Sequence, residues 1–242
     1  MRLLITRPEP DNEHTAAALR AFGHEVMLAP LLRIEAIGDA DLGAPPWAAI
    51  LLTSANGARA LGSHPRRGEL LALPVLAVGD STANAAREAG FADVTSAGGD
   101  VRDLVRLSAA RHLASHLPLL YLAGEDRAGD LDGELAARGQ LVRTVVLYRA
   151  TKVPTLPAAA RRALAQEQID GVLHFSRRGV ENYLECGRDV INQALAPVHY
   201  CLSERTAEPL RLAGAARIEI APWPNVASLL TLIGSRETQK IS

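Results

Sequence analysis

The chain has 242 residues, of which 48% are hydrophobic and 22% charged, and its formal net charge is -1. That composition is typical of a folded protein with one large or two small cores, and it excludes an intrinsically disordered chain. The near-neutral balance gives no overall field toward nucleic acid or anionic lipid, so neither partner is expected.

Nine short apolar runs follow one another along the chain, separated by stretches with helical periodicity. The runs are 2–6, 25–29, 48–53, 74–78, 118–122, 142–148, 170–175, 198–202 and 216–220. Short, nearly all-apolar runs are typical of parallel strands that are buried on both faces. Strands alternating with helices predict an α/β fold with parallel, flavodoxin- or Rossmann-like sheets.

The helical stretches carry start and stop signals. Asp100 is expected to cap a helix, with Asp103 in its first turn. Four glycines each stand between a helical stretch and a strand, as helix-terminating glycines do: Gly23, Gly90, Gly139 and Gly214.

The same plan occurs twice in the chain. Leu3-Leu4-Ile5 corresponds to Leu119-Leu120-Tyr121, and Ile50 to Ser54 corresponds to Val172 to Ser176. Two later segments correspond in the same order, and the offset rises only from 116 to 125 residues. We interpret this as two copies of one supersecondary unit.

Two cysteines and a four-residue apolar stretch at the N-terminus bear on the cellular compartment. Cys186 and Cys201 form no CxxC motif, and reduced core thiols are expected. No run approaches the ~18 apolar residues of a membrane span, and the N-terminal stretch is too short for a signal peptide. A soluble, cytoplasmic protein is expected.

Ligands of open parallel sheets collect beyond the carboxyl ends of the strands. The polar residues at those positions are Thr6, Arg7, Ser54, Asn56, Thr82, Ser176, Arg177 and Thr206. Hydroxyls and amides at helix N-termini suit carboxylate or phosphate groups. The same residue types are also ordinary helix caps, and the residues alone leave both interpretations open.

Tyr148 ends an apolar run at the junction of the two copies. Its hydroxyl could donate a proton in a cleft, or its ring could simply pack at the end of a strand. No GxGxxG follows a strand, and neither a GxxxxGK[ST] nor a GxSxG motif occurs.

Several of these segments, taken in order, resemble uroporphyrinogen-III synthase. They are Leu4-Ile5-Thr6-Arg7-Pro8, Thr53-Ser54-Ala55-Asn56, Ala77-Val78-Gly79 with Thr82, Val146-Leu147-Tyr148-Arg149-Ala150, Phe175-Ser176 and Ser203-Glu204-Arg205-Thr206-Ala207. The resemblance implies two similar α/β domains, 1–33 with 152–242 and 37–147. It also implies linker strands at 34–36 and 148–151 and a cleft between the domains.

The resemblance further implies a cofactor-independent lyase. The substrate would be hydroxymethylbilane, a linear tetrapyrrole octacarboxylate, which loses water and closes with inversion of ring D to give uroporphyrinogen III. Tyr148 would be the general acid, with Thr82, Thr206, Ser54 and Ser176 at the substrate. A monomer with no metal or organic cofactor is expected, receiving its substrate from hydroxymethylbilane synthase.

Two other functions are compatible with paired α/β lobes, because a fold does not determine a function. One is a non-catalytic binder of an anionic small molecule. The other is a nucleotide-using transferase, which the missing phosphate loop disfavours.

Overall fold

The computed structural model describes residues 1–111, 116–127 and 129–240, with side chains up to residue 234. Two compact units divide the chain, Met1–Arg33 with Thr151–Ser242 and Ile34–Ala150. We refer to them as unit 1 and unit 2.

Strands and helices alternate along the described residues. The strands are β1 (Arg2–Ile5), β2 (Glu25–Leu28), β3 (Leu32–Ala36), β4 (Ala49–Leu52), β5 (Val75–Ala77), β6 (Val94–Ser96), β7 (Leu119–Gly124), β8 (Val142–Lys152), β9 (Gly171–His174), β10 (Val198–Cys201) and β11 (Ile218–Ile220). The α-helices are α1 (Asp11–Ala21), α2 (Ala55–Gly62), α3 (Arg67–Leu70), α4 (Asp80–Glu88), α5 (Val101–Ala110), α6 (Leu131–Ala136), α7 (Ala158–Ala165), α8 (Arg177–Cys186), α9 (Ile191–Leu195), α10 (Glu204–Leu212) and α11 (Val226–Lys240). All nine strands expected from the sequence are present.

The two sheets repeat one strand order. The first is β2-β1-β9-β10-β11, and the second is β8-β7-β4-β5-β6 with β3 outside β8. In each sheet, the first two strands of one copy lie beside the last three strands of the other copy. Numbered by position within a copy, the strand order is 2-1-3-4-5 in both sheets, which is the flavodoxin-like arrangement. The predicted α/β class with two parallel sheets is therefore confirmed, and so is the internal repeat.

The edge strand β3 is the exception to the parallel arrangement. Ile37 N donates to Leu147 O, and Val153 N donates to Leu31 O. The partners thus run in opposite directions along β3 and β8, as in an antiparallel pair.

Burial on both faces explains the apolar runs. All four residues of β4 are fully buried, and they alternate between two hydrophobic clusters. Ile50 and Leu52 pack with α2 and α4, whereas Ala49 and Leu51 pack with α5 and α6. Burying each such leucine contributes about 1.5–3 kcal/mol, so β4 is held from both sides.

The helix ends follow the signals in the sequence. Asp100 caps α5 in a capping box, because its side chain accepts from the Asp103 amide and the Asp103 carboxylate accepts from the Asp100 amide. Gly23, Gly90, Gly139 and Gly214 all have φ between 74° and 95° after a helix, a conformation that favours glycine. These helix-stop predictions are confirmed. Within the described residues, no helix is long and apolar enough to cross a membrane.

Candidate functional site

The carboxyl edge of the unit 2 sheet carries a pocket of about 170 Å³. Its walls are residues of β7 and the segment that follows it, the residues that follow β4, the middle of β8 and the starts of α5 and α6. The lining residues are Thr53, Ser54, Val101, Tyr121, Gly124, Asp126, Arg127, Gly129, Leu131 and Tyr148. The pocket therefore combines hydroxyl groups with one guanidinium group, that of Arg127, and one carboxylate, that of Asp126.

A β-bulge directs Tyr148 into this pocket. Ala123 pairs with Val146, but Gly124 pairs with Tyr148, so Leu147 is an extra residue on β8. Because of this extra residue, the buried Leu147 and the half-buried Tyr148 both pack against the same core cluster. Bulges often re-aim a side chain in this way.

One glycine makes room for the Tyr148 ring. A Cβ atom added to Gly124 would lie 2.8 Å from the Tyr148 hydroxyl oxygen, too close for any side chain. The phenol is thus held against bare backbone at Gly124 while its side chain still lines the pocket.

A second tyrosine lies in the pocket wall, and the sequence did not single it out. The Tyr121 hydroxyl lies 3.1 Å from Thr53 Oγ1, and either group can donate. Burial raises the pKa of Tyr121, so the phenol stays protonated at neutral pH. Since one hydrogen is used between the two hydroxyls, the pair keeps one O–H for a ligand.

Arg127 supplies the positive charge of the pocket. It follows β7 and pairs with Asp132 of α6, with Nη1 2.7 Å from the carboxylate. Both side chains are partly exposed, so water screens this pair and an incoming carboxylate can share the guanidinium.

The other sequence-predicted residues of unit 2 lie at helix starts. Ser54 lines the pocket and caps α2 by accepting from the Asn56 amide at 3.2 Å. The Asn56 side chain accepts a hydrogen bond from Arg59, and Thr82 is 5% exposed in the first turn of α4. Ser54 and Tyr148 line the pocket, whereas Asn56 and Thr82 do not.

In unit 1, the residues after β1 already form hydrogen bonds, an ion pair and a ring contact with other residues of unit 1. Thr6 donates its hydroxyl hydrogen to Leu173 O at 2.8 Å. Arg7 pairs with Asp11 at 2.8 Å and lies over the Phe175 ring. A ligand carboxylate at Arg7 would therefore share the guanidinium group with the carboxylate of Asp11.

The remaining unit 1 residues follow β9 and β10, which are neighbours in the sheet. Ser176 caps α8 by accepting from the Gly179 amide. Arg177 pairs with Glu181 and Glu208, and Thr206 Oγ1 lies 3.0 Å from Ser203 Oγ. The sheet brings Ser176 and Thr206 to one edge.

Two buried histidines lie deeper in unit 1. His174 Nε2 is 3.1 Å from His199 Nδ1, both residues are 0% exposed, and the edge of the Tyr183 ring packs on them. They are core residues, as the apolar strands around them indicated. Among the described residues, no three His, Cys, Asp or Glu side chains cluster as metal ligands do.

Comparison with solved structures finds the same fold. The chain is similar to the uroporphyrinogen-III synthetase of Helicobacter pylori 26695, with 19% identity, a TM-score of 0.66 and coverage of 98% of this chain and 100% of that one. It is also similar to a mutant uroporphyrinogen III synthase of Thermus thermophilus, with 20% identity, a TM-score of 0.55 and 99% of each chain covered. At these identities the likeness shows the fold alone.

Comparison at the level of sequence gives two results. No curated protein matches the chain. The family model described as "Uroporphyrinogen-III synthase HemD" matches residues 13–231, which include the pocket of unit 2 and most of unit 1. With this match over most of its length, the chain belongs to the uroporphyrinogen-III synthase family.

Proposed function

We propose that the unit 2 pocket binds the reacting end of hydroxymethylbilane and that Tyr148 protonates its leaving hydroxyl group. The family is a lyase of tetrapyrrole biosynthesis, which closes the linear tetrapyrrole to uroporphyrinogen III. The observation that carries the proposal is the bulge at Leu147, which turns the Tyr148 side chain into a pocket of hydroxyl donors.

The protein has one acid–base task, which is to give a proton to the leaving hydroxyl group and to take one back at ring closure. As the C–O bond of the hydroxymethyl group breaks, Tyr148 gives its proton to the leaving oxygen and water departs. The adjacent pyrrole nitrogen supplies the electron pair, which forms an azafulvenium cation. The substituted α carbon of ring D attacks the methylene of this cation and gives a spiro-pyrrolenine. The bond from that carbon to the ring C methylene then breaks, the free α carbon of ring D bonds to the released methylene, and loss of its hydrogen as a proton restores the phenol. Positioning accounts for the rest of the rate.

The pocket is suited to a carboxylate beside the reacting carbon. Arg127 offers charge, and the Thr53–Tyr121 pair and Ser54 offer neutral O–H donors. Neutral donors do not repel one another as several cations would, so more than one can point at the same bound carboxylate.

We extend the proposal to the helix starts expected from the sequence. Asn56 and Thr82 in unit 2, and Thr6, Arg7, Ser176, Arg177 and Thr206 in unit 1, would hold further carboxylates. Their support is their position beyond the carboxyl ends of parallel strands. The domains 1–33 with 152–242 and 37–147, linked through 34–36 and 148–151, would be the two functional lobes.

The chain would act as a cytoplasmic monomer and receive hydroxymethylbilane from hydroxymethylbilane synthase. Its two cysteines support a reducing compartment, since both are free thiols. Burial raises the pKa of the Cys201 thiol to about 12, which keeps that thiol protonated and inert.

The deciding experiment supplies the purified chain with hydroxymethylbilane and determines which isomer is formed after oxidation to porphyrin. We expect the type III isomer in excess over the type I isomer that arises spontaneously. Type I alone, from protein that unfolds cooperatively on heating, would overturn the proposal and favour a non-catalytic binder.

A further inference from the structure

Four large hydrophobic side chains stand exposed on the described surface, and one differs from the rest in its place. Phe22 and Leu212 end helices that lead into β2 and β11, and Leu141 directly precedes β8, so all three lie at the amino edges of the sheets. Trp223, which is 69% exposed, follows β11 and precedes α11. It lies at the carboxyl edge, where α/β sheets bind ligands.

The loop that carries Trp223 is well ordered by its own bonds. Pro222 and Pro224 flank it and restrict its backbone. Trp223 N donates to Ser228 Oγ at 3.1 Å, and Trp223 O accepts from Asn225 N at 2.7 Å. Both backbone groups of Trp223 are therefore satisfied, while the indole remains in solvent. Little backbone conformational entropy would therefore be lost when a ligand covers the indole.

The neighbouring strand end carries complementary groups. β11 pairs with β10, with Ile220 opposite Cys201, so the loops after the two strands start side by side. After β10 come Ser203, which caps α10, and the first turn of α10 with the exposed Arg205 and the buried Thr206, whose hydroxyl is bonded to that of Ser203. A flat aromatic surface after one strand and anion donors after its neighbour match a ligand that joins aromatic rings to carboxylates.

We propose that Trp223 binds one pyrrole ring of the linear tetrapyrrole by stacking, while the groups after β10 hold that ring's carboxylates. This inference rests on the proposed function. Trp223 does not touch the reacting carbon; it is a positioning residue that orders the flexible chain before closure. An aromatic face holds a π-system by offset stacking or edge contact, and stacking on nucleobases changes affinity by roughly 5- to 150-fold.

The first test compares KM and kcat of the wild type with those of Trp223→Ala and Trp223→Phe. Two matched controls remove exposed side chains at the amino edge of the same unit, Phe22→Ala and Leu212→Ala. We expect Trp223→Ala to raise KM about tenfold with kcat within about threefold, because a contact made equally in the ground and transition states affects KM. Trp223→Phe should keep KM within about threefold of the wild type, and both controls should be unchanged.

Equal KM values for Trp223→Ala and the two controls would overturn the inference. So would a loss in Trp223→Phe as large as in Trp223→Ala, since an aromatic face would then not be what binds.

The second test needs no variant and no turnover. Trp223 and Trp47 are the two tryptophans of the chain, and Trp47 is 6% exposed, so acrylamide quenches chiefly Trp223. We expect uroporphyrinogen III, added anaerobically, to lower the quenching constant at least twofold. A wild type that forms the type III isomer without this protection would sink the inference and leave the proposed function intact. Protection that rises with protein concentration in the absence of ligand would assign Trp223 to contact with a second copy and also overturn it.

Discussion

The hydroxyl oxygen of Tyr148 lies where a side chain at position 124 would otherwise stand. A Cβ atom added to Gly124 would lie 2.7 Å from the Tyr148 Cζ, shorter than any ordinary carbon contact. Gly124 and Tyr148 are paired at the bulge between β7 and β8, so the position of the Tyr148 ring depends on the absence of a side chain at Gly124.

Gly124→Ala should displace the Tyr148 ring and lower kcat about 10- to 100-fold, with a stability loss of about 1–3 kcal/mol from overpacking. Gly68→Ala in α3 is the matched control, because a Cβ there meets nothing within 4 Å. In a Tyr148→Phe background, Gly124→Ala should cost under threefold more activity, since both changes act on one group. Full additivity of the two losses would show that Gly124 acts independently of Tyr148.

Tyr148→Phe should lower kcat about 10²-fold if the phenol is the general acid, with little change in the melting temperature. Tyr200→Phe serves as a control for the same chemical change, at a buried tyrosine of unit 1. Steady-state rates with hydroxymethylbilane decide the matter. A fall of less than about threefold would remove Tyr148 from this role.

Thr53→Val should reduce the free energy of unfolding by about 0.5–1.5 kcal/mol, because it removes the hydrogen bond between the two hydroxyls in the pocket wall. Thr53→Ser should retain most of the stability, since it keeps the hydroxyl. Urea unfolding of both variants and of Thr53→Val/Tyr121→Phe measures the coupling. If the double variant lost the full sum of the single losses, the hydrogen bond would not be the cause.

Thr206→Val should lower activity while changing stability by less than about 1 kcal/mol, because Ser203 supplies the helix cap of α10. Ser203→Ala should instead cost about 1 kcal/mol of stability. Paired melting curves and turnover rates separate the two roles. A larger stability loss in Thr206→Val than in Ser203→Ala would indicate that Thr206 serves the helix rather than the substrate.

Stability should fall as the pH is lowered from 6.5 toward 4. Burial, opposed in part by a hydrogen bond with the Leu195 backbone, lowers the pKa of His199 to about 4; burial and the neighbouring His199 hold the pKa of His174 well below its usual range. The unfolded chain binds protons at these histidines near pH 6.5 while the folded chain does not. Each histidine then costs up to about 1.4 kcal/mol per pH unit in this window.

The control for this pH dependence is His174→Leu/His199→Leu, in which other titrating groups remain. We expect its unfolding free energy, measured by urea denaturation, to vary less steeply between pH 6.5 and 4 than that of the wild type. Equal slopes would contradict the assignment, whatever the absolute stability of the variant.

The repeat and the apolar runs predicted the fold well, because burial on both faces of a parallel sheet leaves a strong signal. β6 was missed: Val94-Thr95-Ser96 is too short and polar to form an apolar run. Its counterpart β11 was predicted, and the offset of 124 residues between Val94 and Ile218 would have located it. The repeat was thus more informative than hydropathy at that edge.

The site was predicted less completely than the fold. Tyr148 and Ser54, which were predicted as site residues, line the pocket, whereas Tyr121 was treated as part of an apolar strand. Its role depends on the pairing of β7 with β4, which brings it to Thr53 across 68 residues of sequence. The bulge at Leu147 is likewise invisible in the sequence, because it is a property of two paired strands.

The strand order of unit 1 also bears on how the chain folds as it leaves the ribosome. Leu3 and Leu4 of β1 pair with Gly171 and Val172 of β9. The backbone hydrogen bonds at this edge of β1 therefore form only after β9 has been synthesised. Unit 2 is a continuous segment, Ile34–Ala150, and all its strands are synthesised before β9 emerges. Non-local pairing slows folding, and the nascent N-terminal stretch of strand, helix and strand is therefore the part that most needs shielding from aggregation during translation.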